Sequence, residues 1–263
     1  MTEPTTGPIK NREEVVEAIE GLLKGWRVPE NVPQEISTAV VPSGEDAVSA
    51  RLIAKGIHTL VLRVRPRCII LIGASPRQMK GVALSAFGEI SSTAGDVSID
   101  ERIASRLATL WLPTIEVADS HEEFDSLPLH RIGALMTRAL APGCRVVPVS
   151  VPLEANDDFD PIALGTLLGE ALSEERGTIV VAGAEIGAGA SGFKGDARVL
   201  RHLIDIDPFS LQTEARAIGC SSSAPLSLAA AHALGRGEQI GSLLEHAVIG
   251  NKESGIGAVS VVL

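Results

Sequence analysis

The chain has 263 residues, 45% of them apolar, with a formal net charge of -10 at pH 7. That length and apolar content suffice for a sizeable core, read here as one large α/β domain, and the acidic balance argues against a nucleic-acid footprint. Aromatic residues make up 3% and Tyr is absent, which removes tyrosine from any catalytic scheme and argues against base-stacking platforms.

The nearest basic group, Arg63, Arg65 and Arg67, alternates ahead of a strand and reads as a solvated face. Cys68, Cys144 and Cys220 are far apart and odd in number, giving neither a C-x-x-C metal knuckle nor a disulfide framework. The amino-terminal stretch MTEPTTGPIKNREE lacks the apolar segment of a signal peptide, and no run approaches the roughly 18 apolar residues of a membrane span. A soluble, cytoplasmic protein with neither membrane nor nucleic acid as partner is expected.

In chain order, residues 1–35 read as a tail followed by an amphipathic helix, in which Val15, Val16, Ile19, Leu22 and Leu23 recur at helical spacing until Pro29 and Pro33. Residues 36–263 read as one α/β domain. Strand 36–41 ends at Pro42-Ser43-Gly44, helix 46–62 follows, and the apolar run 68–73 has the form of a parallel strand buried on both faces. Shorter strands at 82–87 and 96–99 precede a helix over 100–110 with Asp100 as cap. Helix 130–140, strand 145–151, helix 161–172 and strand 178–185 continue the alternation. Helices at 196–203, 208–217 and 225–234 and a closing strand over 256–263 complete a three-layer α/β sandwich with a largely parallel sheet.

Such folds place chemistry on the loops after their parallel strands. The loop at Ser43 to Asp46 reads first as a helix cap, and Ser75-Pro76 as a turn opener. Gly187, Gly189 and Gly192 fall on the G-x-G-x-x-G spacing, but the strand and the acidic residue that dinucleotide binding at 187–192 requires do not follow in order. Among the histidines, His58 and His232 lie in apolar helical stretches and read as structural, and His130 and His202 as surface residues. His121 sits among Asp119, Glu122 and Glu123, where an imidazole can act as ligand or proton carrier. Cys220 and Ser221 precede a helix, which admits a nucleophile but fits a serine cap beside a buried thiol better.

Taken in order, these loops resemble the Memo family, which is related to the LigB-like class III extradiol ring-cleaving dioxygenases and includes component B of AmmeMemoRadiSam systems. Val40-Val41-Pro42-Ser43-Gly44 resembles the family's V-P-H-A-G, and Ile69 to Pro76 resembles its strand ending in I-L-G-P-S-H. Ser92 to Asp100 is similar to T-P-L-G-x-V-x-V-D, and His121 with Leu127-Pro128 to E-H-S-x-E-x-x-L-P. Val180 to Glu185 resembles the strand leading into S-S-D-x-x-H, and Gly219-Cys220 with Pro225 resembles C-G-x-x-P, with Cys220 or Ser221 at the cysteine position.

The resemblance implies the Memo/extradiol-dioxygenase sandwich, and its departures imply a degenerate metal site. Where the family carries metal-site histidines, this chain has Ser43, Pro76 and Ala188, none an imidazole. No resident cofactor is therefore expected, with iron, copper or zinc bound only if His121, Glu185 and Cys220 converge. Ring-cleaving dioxygenase activity is not expected. The leading expectation is a noncatalytic small-molecule-binding or partner subunit, in a homo- or hetero-oligomer such as a dimer, or beside a radical-SAM system. The alternative is an enzyme with rebuilt, metal-free chemistry using His121 as acid/base, Glu185 as its partner and Cys220 as nucleophile, in a pocket formed with Ser43, Pro76, Ala188 and Ser221.

Overall fold

The computed structural model describes residues 12–75, 79–111, 115–117, 127–187, 192–250 and 256–263, with the backbone alone at 115–117 and 192–194. In chain order the elements begin with α1 (Arg12–Leu22), β1 (Thr38–Val41), α2 (Ala47–Val64), β2 (Cys68–Ala74), β3 (Val82–Leu84), β4 (Glu89–Ile90), β5 (Val97–Ser98), α3 (Glu101–Leu110) and β6 (Ile115–Val117). They continue with α4 (Pro128–Leu140), β7 (Arg145–Val151), α5 (Pro161–Ala171), β8 (Thr178–Gly183), α6 (Gly192–Ile204), α7 (Pro208–Ala217), α8 (Ser223–Gly235), β9 (Ser242–Ile249) and β10 (Ile256–Val262).

The uninterrupted apolar runs become strands covered on both faces, the usual condition of a parallel sheet flanked by helices. Among the described residues eight strands form one sheet in the order β6-β3-β7-β2-β8-β1-β10-β9. Its centre, β7-β2-β8-β1, is parallel throughout, with Leu71 opposite Pro148 on one side and Val181 on the other. Antiparallel pairing of β3 with β7 and of β10 with β1 marks the two flanks, and β9 closes the edge beyond β10.

Alternate strand residues feed two cores, one on each face. Ile70, Ile72, Val147, Val149 and Val180 pack under α3, α5, α6, α7 and α8, while Ile69, Leu71, Val146, Ile179 and Val181 pack under α1, α2 and α4. This is the three-layer α/β sandwich that the alternation of elements predicts. Val15 and Ile19 of α1 are buried in the second core, so the amphipathic helix packs onto the domain.

Aspartates start four of the helices. Asp46, Asp100, Asp160 and Asp207 each accept backbone N–H bonds in the first turn of α2, α3, α5 and α7, satisfying donors that the helix leaves open. Helix α8 is buried from Ser223 to Ala233, and its alanine-rich sequence lets α5 approach closely. A Cβ on Gly165 would stand 2.4 Å from the Leu228 carbonyl oxygen, and one on Gly169 2.4 Å from that of His232. No helix among the described residues is long and apolar enough to cross a membrane.

Three strands depart from the sequence reading. β4 and β6 are two and three residues long, too short to show a period. β9 covers residues to which the sequence reading gave no element: Ser242 to Ile249 are mostly half-buried at the sheet edge, so no clean alternation marks it. His130 also departs, being fully buried rather than at the surface.

Candidate functional site

Strands β1, β2 and β8 run parallel, so their carboxyl ends bring Ser43, Ser75 and Glu185 to one edge of the sheet. Ser43 follows Pro42 directly after β1, and its hydroxyl donates to Glu185 Oε1 at 3.3 Å. The capping reading of this loop thus belongs to Asp46, whose Oδ1 accepts from the amides of Val48 and Ser49. The backbone ties the same loops together, Ala184 N–H donating to the Val41 carbonyl at 2.8 Å and Ser75 N–H to that of Val151 at 2.9 Å.

Cys220 joins this edge from the turn before α8. Its thiol is 2% exposed and donates to the Glu185 carbonyl at 2.9 Å. Burial pushes its pKa up to about 11, with the charges of Glu185 and Asp196 adding to the rise. A thiol held this way is a protonated hydrogen-bond donor at neutral pH. Ser221, the other candidate for the cysteine position, is exposed.

Two groups that the sequence reading did not single out complete the site. Asp196, in the second turn of α6, is 4% exposed and lies against two glycines: a Cβ on Gly187 would stand 2.4 Å from Oδ1, and one on Gly257 2.3 Å from Oδ2. His246 on β9 places Nε2 3.4 Å from Asp196 Oδ2. The spacing of Gly187 is therefore explained by a buried carboxylate rather than a pyrophosphate. After α6 the chain does not return to a strand beside β8, because α7 and α8 intervene and β9 lies at the sheet edge antiparallel to β10, so the β-α-β unit of a dinucleotide site is not built.

His130 is the third such group. Its Nε2 lies 3.1 Å from both the Leu71 and Val149 carbonyl oxygens, so this nitrogen carries the proton and links β2 to β7. Glycines at the strand ends make room for the start of α4: a Cβ on Gly73 would stand 3.1 Å from Leu127, and one on Gly183 2.8 Å from Leu129. The sequence signal was the pair of glycines closing two apolar runs, Gly73 and Gly183, opposite the Leu-Pro-Leu-His start of α4.

Of the residues named from sequence, Ser43, Glu185 and Cys220 converge, while His121, Pro76 and Ala188 lie outside the described residues. As a metal centre the convergent set fits poorly. It offers a neutral hydroxyl, a carboxylate already accepting from that hydroxyl, and a protonated thiol directed at a backbone carbonyl. Among the described residues no three His, Cys, Asp or Glu side chains are arranged to hold a metal ion. A sizeable cavity lies at the opposite edge, at the amino ends of β2, β7 and β8.

No protein-family model and no curated protein matches the chain. Among solved structures, the crystal structure of the uncharacterized protein JW3007 from Escherichia coli K12 is similar to it with a TM-score of 0.55 and 15% sequence identity, covering 87% of this chain and 99% of that one. At that identity the likeness is one of fold, and it extends over nearly the whole sandwich.

Proposed function

We propose that this chain is a divergent relative of the Memo and class III extradiol dioxygenase group whose carboxyl-edge pocket binds a small molecule or a partner subunit without metal chemistry. The observation that carries the reading is the hydrogen bond from Ser43 to Glu185. Where the resembling family has an imidazole, a hydroxyl instead occupies the neighbouring carboxylate. Metal content of the chain purified without chelator tests this directly. Substoichiometric iron, copper and zinc, unchanged in Glu185→Gln, is the expected result. Stoichiometric metal that is lost in Glu185→Gln or in His121→Ala would overturn it.

A second reading, rebuilt acid–base chemistry in the same pocket, is favoured by the pairing of half-buried His246 with buried Asp196. A carboxylate beside an imidazole can orient it toward a proton to be moved. This version relies on Glu185, His121 and His246 and gives Cys220 no role. Native-state alkylation tests whether Cys220 takes part at all. With a pKa near 11, Cys220 is expected to label only at the rate of global unfolding. Rapid labelling of the native chain would restore the thiol as a nucleophile.

A further inference from the structure

The amino ends of the same strands carry a different chemistry. A cavity of about 830 Å³ opens there, within the range of roughly 300–1,000 Å³ common for ligand pockets. Arg65, Arg67, Arg102, Arg145 and Arg176 line it, together with the carboxylates of Asp100, Glu174 and Glu175. Two of the arginines are engaged: Arg102 holds both oxygens of Glu175, at 2.6 and 3.1 Å, and Arg145 lies 3.8 Å from Asp100. The side chains of Arg65, Arg67 and Arg176 form no ion pair or hydrogen bond among the described residues, and all three are exposed. A smaller cavity of about 350 Å³ shares Val64 and Arg176 and brings Arg63 and Arg236 to the same rim.

A bland account of these arginines is that they neutralise helix carboxyl termini, since α2 and α5 end at this edge. Arg236 serves that purpose, its guanidinium donating to the Leu172 carbonyl at the end of α5. The three cleft arginines make no such bond among the described residues. Arg65 is moreover held at φ 52° and ψ 66°, a left-handed conformation that favours glycine, as the C-cap of α2. Gly177 leaves room for Arg67, whose Cγ would stand 3.2 Å from a Cβ at that position. The alternating arginines that read as a solvated face therefore open into two adjoining cavities.

Guanidinium groups match phosphate oxygens by two parallel hydrogen bonds. Three that form no ion pair or hydrogen bond among the described residues leave capacity for more than one phosphate group, with Arg67 also in the field of Glu175. Among the described residues no aromatic side chain lines the cavity, so no stacking platform for a base is offered, and the net charge of -10 repels a long polyanion from the surrounding surface. We propose that this cleft is a ligand site for a compact, non-aromatic anion carrying two or more phosphate groups, separate from the carboxyl-edge pocket.

Calorimetric titration of the full chain with inorganic pyrophosphate at fixed ionic strength tests the site. Saturable binding at one site per chain is expected. Arg67→Gln, Arg65→Gln and Arg176→Gln should each weaken it by roughly tenfold or more, the scale of a charge-assisted bond. Arg198→Gln removes the same charge from a guanidinium paired with Glu214 in the α6–α7 region and should change the affinity little. Absence of saturable binding, equal weakening by Arg198→Gln, or tighter binding of a single-stranded oligonucleotide would each overturn the proposal.

Discussion

The two ends of β2 and β8 solve their hydrogen bonding in opposite ways. At the carboxyl ends, polar groups close on one another: Ser43 on Glu185, Cys220 on the Glu185 carbonyl, and Asp196 between Gly187 and Gly257. At the amino ends, five arginines face three carboxylates around an open cavity, and three of the guanidiniums form no ion pair or hydrogen bond among the described residues. Helix amino termini normally give the carboxyl edge its affinity for anions. Here Asp46 takes up the first amides of α2, and the carboxylate of Glu185 lies beside the loop leading into it. The lesson is that the edge where α/β folds usually place chemistry pairs several of its polar groups internally, while guanidiniums without an ion pair or hydrogen bond among the described residues stand at the other edge.

The largest effect expected bears on the amino end. His232 is fully buried in α8, its Nδ1 2.7 Å from the Thr38 hydroxyl at the start of β1, and burial lowers its pKa to about 3. The folded state therefore keeps this imidazole neutral while the unfolded chain, titrating at about 6.5, takes up a proton first. Stability from this group is complete above about pH 6.5 and declines as pH falls from there toward about 3, by an order of several kcal/mol. Urea midpoints measured across that window should fall, and His232→Gln should flatten the slope. A wild-type profile that is level from pH 7 to pH 4 would contradict the buried neutral imidazole.

Next in size is the closure of the carboxyl end. Gly257→Ala would force a methyl to 2.3 Å from Asp196 Oδ2, and Gly187→Ala to 2.4 Å from Oδ1. Each should destabilise the fold by about 1–3 kcal/mol, the scale of overpacking a filled site. Gly21→Ala, where nothing lies within 4 Å, should be neutral or slightly stabilising and serves as the control. Equal midpoints for all three variants would mean that Asp196 is not confined as described.

The smallest effect belongs to the engaged arginine of the amino cleft. Arg102→Ala removes an exposed bidentate pair with Glu175 and should cost less than about 1 kcal/mol in thermal or urea unfolding. A loss of several kcal/mol would make the arginines a structural cluster and remove the contrast between the two ends.

Much of the fold was legible because buried parallel strands are uninterrupted apolar runs, as at Cys68 to Gly73 and Thr178 to Gly183, and because aspartates mark helix starts. β9 was not, since an edge strand buries neither face fully and its Leu-Leu-Glu-His-Ala-Val pattern fits no single period. In the site, Ser43 stood out because it follows a strand and Cys220 because it precedes a helix, and Glu185 stood out only through the family resemblance. Asp196 and His246 were missed because their pairing joins a helix to a strand 50 positions on, a contact that no local spacing encodes. His130 looked like a surface residue because its two carbonyl partners are backbone atoms, which every sequence has. The arginines at 63, 65 and 67 were visible, but their convergence with Arg102, Arg145 and Arg176 depends on the sheet order.

Amide chemical-shift mapping of one sample titrated with zinc and, separately, with pyrophosphate tests the contrast between the ends most directly. The account predicts that pyrophosphate moves the amides of Cys68, Gly177 and Thr178 at the amino end, while zinc leaves those of Ala184, Glu185 and Ile186 at the carboxyl end unchanged. Saturable zinc shifts at Ala184 to Ile186, with none from pyrophosphate at Cys68 and Gly177, would contradict it.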